Sequence, residues 1–342
     1  MDVKKILITG SEGYIGSVLT AQLLKQNYKL TGLDTLFFQK SHAHSHIPNY
    51  HLIRNDIRSV DKSAFKDCDI VIHLAALSND PLGEINPRLT DKINFQTSVK
   101  LAVLAKSAGV KRFLFASSCS IYGKADKRIV NEYSTVSPLT AYASSKYAAE
   151  KQILNLKSQK FCPTILRFAT VYGYSPQFRN DLVVNNLLTC ALCSNIINVQ
   201  SDGTPYRPLI DLRDVSNIIS KFITIDTSKI NGEIFNIGFD ENNFRVKHIA
   251  NLIKHYLPTS QVSFGQKNDD ARSYRVSFAK LKKLIPKLQQ KFTLTDSIKD
   301  MVSKLTDIKF SIKDFQDGNF SRIDVLKKLI KTKKLNHSLF WN

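Results

Sequence analysis

Apolar positions along the chain follow two rhythms. Short, nearly continuous apolar runs at residues 4–9, 28–34, 50–54, 69–74, 111–116 and 163–168 read as strands buried on both faces. Between them, residues 13–26, 86–108 and 141–156 carry apolar side chains at helical spacing, and Gly109 supplies a helix stop after Ala108. Strands and helices alternating in this way predict βαβ units and hence an α/β fold on a parallel sheet.

After about residue 170 the elements shorten, broken by Pro176, Pro205, Pro208, Gly232, Pro258 and Pro286. This predicts a larger sheet domain over residues 1–172 and a smaller C-terminal lobe over 173–342, with segments such as 233–237 returning to the sheet. Open α/β sheets bind ligands at the carboxyl ends of their strands, so the lobe is expected to close a cleft there.

With 342 residues, 43% of them hydrophobic, the chain has ample material for a packed core, which excludes a disordered or fibrous protein. No run approaches the ~20 apolar residues of a membrane span, and the first apolar run ends at Gly10 rather than forming an export signal. Five scattered cysteines are unlike a disulfide framework, and a reducing, cytoplasmic setting is expected. The formal charge of +20 favours anionic partners, but no groove-reading or aromatic-interleaved motif accompanies it. The excess is read as a solvated basic surface, with no nucleic acid among the partners. The basic, amphipathic segment 323–335 is expected to form a closing helix on the second lobe.

The first strand runs into Gly10-Ser11-Glu12-Gly13-Tyr14-Ile15-Gly16, a G-x-x-G-x-x-G turn that opens a helix. Glycines here let the turn form, let backbone approach a pyrophosphate, and let helix and strand pack closely. Asp34 follows 18 residues after Gly16 at the tip of the second strand, where a carboxylate bonds a ribose 2′-hydroxyl and repels a 2′-phosphate. Together they predict a Rossmann-type doubly wound sheet that binds NAD in preference to NADP.

Tyr142 and Lys146 stand four residues apart on a predicted helix and project from one face. A neighbouring cation favours the phenolate, which makes Tyr142 a usable general base. Ser118, placed just beyond the strand over 111–116, can hydrogen-bond the hydroxyl that Tyr142 deprotonates.

At this point the sequence resembles the extended short-chain dehydrogenase/reductase family, in its NAD-dependent epimerase/dehydratase branch acting on nucleotide sugars. The resemblance rests on Gly10-x-x-Gly13-x-x-Gly16, Asp34, Asn55-Asp56-Ile57, His73-Leu74-Ala75-Ala76, Ser117-Ser118-Cys119-Ser120-Ile121-Tyr122-Gly123, Tyr142-x-x-x-Lys146 and Leu166-Arg167-Phe168-Ala169-Thr170-Val171-Tyr172-Gly173. It implies that Gly10, Gly13, Tyr14, Ile15 and Gly16 cradle NAD, that Asp56 and Ile57 face the adenine, and that Leu74, Ala75 and Ala76 line the cofactor. It further implies that Tyr142 takes a proton while C4 of the nicotinamide takes a hydride, with Lys146 on the nicotinamide ribose and Ser118 on the sugar hydroxyl. Ser78, Asn79, Asp80 and Ser120 hold positions that approach the sugar, and Arg207 and Arg272 resemble the arginines that clamp a nucleotide pyrophosphate. Within Arg179–Leu187, Asn180 and Asn185 either touch ligand or, for Asn180, cap a helix. The chain departs from many relatives in carrying Ala169-Thr170 where they place an Asn.

The implied activity is that of an NAD-dependent nucleotide-sugar 4-epimerase working through a transient 4-keto sugar, as a homodimer. A net C4 dehydrogenase or keto-sugar reductase is the near alternative, since residues 179–187 resemble that subgroup, and a dinucleotide-binding sensor or scaffold is the alternative of another class. Dehydration is disfavoured because Cys119 and Ser120 stand where dehydratases carry an acid and a base. His42, His44 and His46 read as a solvated loop, and Cys190 and Cys193 as core residues, rather than metal ligands.

Overall fold

The computed structural model describes residues 4–38, 47–78, 80–266 and 273–342. Its strands run in chain order β1 (Lys5–Thr9), β2 (Lys29–Asp34), β3 (Tyr50–Arg54), β4 (Ile70–His73), β5 (Arg112–Ser118), β6 (Lys124–Val130), β7 (Cys162–Phe168), β8 (Thr170–Tyr172), β9 (Ile196–Val199), β10 (Tyr206–Asp211), β11 (Ile234–Ile237), β12 (Asn243–Arg245), β13 (Gln261–Phe264) and β14 (Ser273–Val276). Seven form one parallel sheet in the order β3-β2-β1-β4-β5-β7-β11, a Rossmann-type doubly wound arrangement. The order reverses between β1 and β4, which opens a crevice at their carboxyl ends.

Ile6, Leu7 and Ile8 are all buried because helices cover both faces of the sheet. Ile6 and Ile8 pack with Leu19 and Leu23 of helix Tyr14–Lys25 and Ile218 of helix Leu212–Thr224. Leu7 faces the other side, where Leu101 of helix Ser98–Ser107 and Ile153 of helix Ala141–Leu154 cover it. A third apolar cluster, including Phe178, Leu187, Ile249 and Met301, lies within the later part of the chain. There β8, β10 and β12 make a three-stranded sheet, and residues 233–237 return to the main sheet as β11 beside β7.

Three elements differ from the pattern-based expectation. The helix expected over 86–108 is interrupted: Pro87–Thr90 is α-helical, Asp91–Thr97 widens into a π-helix, and the α-helix resumes at Ser98. The wide turn holds the Asn94 side chain against the Leu77 backbone, accepting from its N–H at 2.9 Å and donating to its C=O at 3.0 Å. π-Turns of this kind recur at functional sites, and here the turn braces the loop after β4. β5 continues to Ser118 rather than stopping at Ala116. Helix Arg322–Lys331 does form, but Leu326, Leu335 and Leu339 join the sheet's own core with Leu7 and Leu33 instead of closing the second lobe.

Among the described residues, no helix is long and apolar enough to cross a membrane. No group of three His, Cys, Asp or Glu there could hold a metal ion. His42, His44 and His46 lie outside the described residues.

Candidate active site

A cavity of about 600 Å³ opens at the carboxyl ends of β1, β4 and β5. Its first wall is the glycine turn. Gly10 adopts φ +72°, and its N–H donates to Leu33 C=O at 2.8 Å, closing the turn after β1. A Cβ on Gly10 would lie 2.9 Å from Ala75 N, and one on Gly16 only 1.9 Å from Gly10 O, so side chains are excluded by backbone. Gly13 caps the following helix without any side-chain hydrogen bond, leaving first-turn amides for an anion. Tyr14 and Ile15 line the same wall, and the Tyr14 hydroxyl is fixed by donating to Gly173 C=O at 2.7 Å.

Asp34 ends β2 beside this turn and accepts from Glu12 N–H at 3.0 Å and Leu36 N–H at 2.8 Å. Burial outweighs those bonds and pushes its carboxyl up to about 6. Asp56 and Ile57 line the cavity beyond it, and the Asp56 carboxylate is paired with Arg58 at 2.7 Å. Leu74, Ala75 and Ala76 form the floor. His73, in the same motif, is structural: its ring bridges Thr9 Oγ1 at 2.6 Å and Ser98 Oγ at 2.8 Å, and burial holds it neutral with a pKa lowered to about 3.

The second wall brings Ser118, Tyr142 and Lys146 together. Ser118 is the last residue of β5 and accepts from Ser120 N–H at 3.1 Å. Thr140 caps helix Ala141–Leu154, accepting from Ala143 N–H at 3.1 Å, which sets Tyr142 in the first turn and Lys146 one turn on. Burial pushes the Tyr142 phenol up to about 12, against the neighbouring Ser118 hydroxyl, which acts to lower it. Burial also lowers Lys146 to about 7; its Nζ donates to Ala116 C=O at 2.8 Å and sits 4.8 Å from the Phe115 ring centre. In the protein alone, burial opposes the charged forms of both groups, and the Lys146 Nζ is engaged by a carbonyl.

Behind this wall, Cys119 is buried with its thiol pushed up by burial and donating to Arg167 C=O at 3.3 Å, which removes it from the chemistry. Ser120 Oγ lines the cavity region and is buried with no hydrogen-bond partner in the structure. Arg167 pairs with Glu150 at 2.7 Å and donates to Tyr122 at 2.9 Å, and Tyr122 donates to Asn236 at 2.8 Å.

The third wall comes from the later part of the chain. Ser78 accepts from Arg179 Nη1 at 2.8 Å, Arg179 pairs with Asp181 at 2.8 Å, and Arg207 on β10 lines the cavity with Asn186. Asn180 is buried away from the cavity lining, and since Leu182 is the N-cap of helix Val183–Ser194, it caps nothing there. Asn185 points into the core, donating to the Tyr14 hydroxyl at 3.1 Å and to Arg179 C=O at 2.8 Å. Asn186, one helical step round, faces the cavity and was missed; the 3.6-residue period of that helix separates the two faces. Arg322 also lines the cavity, from far along the chain, and no local pattern announces it. Asn79 and Arg272 lie outside the described residues.

A doubly wound sheet whose cavity joins a tightly closed glycine turn to a Ser–Tyr–Lys wall defines a dinucleotide-dependent enzyme of the Rossmann class. More narrowly, the chain belongs to the NAD dependent epimerase/dehydratase family, whose model matches residues 6–238. It is 27% identical over 295 residues to UDP-glucuronic acid decarboxylase 1 of Danio rerio, covering 83% of this chain and 68% of that protein. It is 29% identical over 268 residues to dTDP-D-glucose 4,6-dehydratase of Mus musculus, covering 73% of each. Among solved structures, UDP-glucose 4-epimerase of Thermotoga maritima with UDP-glucose shares the fold, with a TM-score of 0.79, 23% identity, and coverage of 89% of this chain and 99% of that one.

Proposed function

We propose that this enzyme is a nucleotide-sugar 4-epimerase. The observation that carries the reading is the composition of the wall around Ser118. The Ser118–Tyr142 pair and Lys146 supply a proton-transfer site, whereas the two positions after Ser118 hold a buried, carbonyl-bound thiol and a hydroxyl. Neither can act as the acid or base that elimination across C5 and C6 requires, so oxidation at C4 and its reversal is the chemistry these side chains support.

The residues fit NAD: the glycine turn is packed so closely on Ala75 and on itself that no Cβ fits at Gly10 or Gly16, the next helix opens at Gly13 with no side-chain cap on its first-turn amides, and Asp34 presents a carboxylate at the tip of β2. Gly10, Gly13, Tyr14, Ile15 and Gly16 would hold the diphosphate, Asp34 the adenosine ribose, Asp56 and Ile57 the adenine, and Leu74, Ala75 and Ala76 the remainder. NAD bound there would supply the hydride acceptor, and in reduced form the hydride donor, for C4 of the sugar. Tyr142 removes the proton of the C4 hydroxyl in the oxidation and returns it in the reduction, with Ser118 fixing the hydroxyl by hydrogen bonding. Lys146 orients the ribose, and positive charge brought near Tyr142 favours its phenolate against the burial that opposes it. Ser78, Ser120, Asn186 and Arg207 would contact the nucleotide sugar. We read the working form as a homodimer, to be checked by light scattering, and the five free cysteines support a cytoplasmic setting.

The test is incubation of purified protein, without added cofactor, with paired C4 epimers of UDP- and dTDP-hexoses, followed by NMR. Interconversion of one pair is expected. Accumulation of a keto sugar only with added NAD would replace the epimerase with the C4 dehydrogenase. Binding of NAD with no reaction on any pair would favour a sensor.

A further inference from the structure

Arg322 is 5% exposed and lines the cavity, although it opens helix Arg322–Lys331, well beyond the family match that ends at residue 238. A guanidinium taken out of water needs compensation. Its Nη2 donates to Gln177 C=O at 3.0 Å and its plane lies over the Phe38 ring at 4.2 Å, contacts that orient the group without neutralising it. A second buried guanidinium, Arg179, lies near enough to repel it, and Arg179 already holds Asp181 through two bonds of 2.8 and 3.1 Å. Two guanidiniums on one cavity wall match an anion carrying more than one charge. Asp181, whose carboxylate also accepts the Arg322 backbone N–H, is shared between the two guanidiniums, and Arg322's remaining electrostatic neighbours are Asp34 and Tyr14, which belong to the β2 tip and the glycine turn.

The end of the chain fastens this helix in place. Trp341 Nε1 donates to Thr35 C=O at 2.7 Å, and its ring packs on Phe37 at 5.7 Å. Arg58 donates to Ser338 C=O at 2.6 Å and Leu339 C=O at 3.0 Å and lies over the Phe340 ring at 3.7 Å. The tail thus clasps the two segments that carry Asp34 and Asp56.

We propose that Arg322 is a dinucleotide-binding residue that contacts the diphosphate of NAD from the C-terminal helix, with residues 335–342 strapping that helix over the adenosine side. The inference rests on NAD lying along the glycine turn. It assigns a cofactor-holding role to a part of the chain outside the family match.

Titrations of NAD and, separately, of UDP by calorimetry on wild type, Arg322→Gln, Arg322→Lys and Trp341→Ala test it, with thermal melts confirming folding. Arg322→Gln is expected to weaken NAD by about tenfold or more and leave UDP unchanged. Arg322→Lys is expected to fall between, and Trp341→Ala, which leaves Arg322 intact, to weaken NAD by a smaller factor than Arg322→Gln. NAD affinity within twofold of wild type in a folded Arg322→Gln protein would overturn the inference while leaving the NAD site standing. Loss of UDP rather than NAD would reassign the contact to the sugar nucleotide and overturn it too. Wild type that binds no NAD would remove the underlying reading as well.

Discussion

Glu150 and Arg167 form a buried ion pair at 2.7 Å, with Ser117 donating to the same carboxylate, directly behind the wall that carries Ser118, Tyr142 and Lys146. Glu150 lies one helical turn beyond Lys146, and Ser117 immediately precedes Ser118. Removing one partner leaves the other charge buried and alone, so Glu150→Ala is expected to lose about 3–5 kcal/mol in urea unfolding. A loss below about 1 kcal/mol would mean the pair is not holding β5 against the helix.

Lys146 gives a pH signature. Burial lowers it from its ordinary 10.5 to about 7, so between those values the unfolded chain binds more protons than the folded one. The contribution of this group to stability therefore rises with pH across that window, and the full cost of burying the ammonium is present below it. Urea midpoints of wild type relative to Lys146→Met are expected to increase from pH 7 to pH 9. A difference independent of pH would show that Lys146 remains charged in the fold. Glu150 acts against the burial, so Glu150→Gln is expected to move the Lys146 titration, followed by NMR, further down.

Tyr142→Phe removes the hydroxyl that faces the cavity beside Ser118 and leaves the glycine turn untouched. Turnover is expected to fall by about 10²–10⁴-fold while NAD affinity, measured by fluorescence titration, stays within a few-fold. Retained turnover would assign proton transfer to another group.

On the proposed binding mode, Asp34 sets the choice between NAD and NADP. Asp34→Ser is expected to shift relative affinity toward NADP by about tenfold or more, because repulsion of a 2′-phosphate is removed. With the Asp34 carboxyl near 6, the preference of wild type for NAD is expected to shrink as pH falls through that value. Selectivity unchanged by the substitution would place the discriminating contact elsewhere.

The sheet and the core of the site were legible because their signals are local. β1, the glycine turn and Asp34 fall within the single stretch 5–34, and Tyr142 and Lys146 share one helical face. What escaped depends on contacts distant in sequence. The π-turn at Asp91–Thr97 is associated with the bonds from Asn94 to Leu77, and the final helix is drawn to the sheet because Leu326 and Leu335 find the same apolar cluster as Leu7. Arg322 reaches the cavity only through that docking. At Tyr142, spacing reveals the neighbouring cation but not the depth of burial, which pushes the phenol up.

The most direct test of the central claim follows the hydrogen at C4. A nucleotide hexose deuterated at C4, once the reacting pair is known, is incubated with purified protein in ordinary water without added cofactor. The account predicts the C4 epimer with deuterium still on C4, since the same hydrogen leaves and returns while Tyr142 handles only the hydroxyl proton. Deuterium found at C6, or lost from the sugar in a keto product, would contradict it.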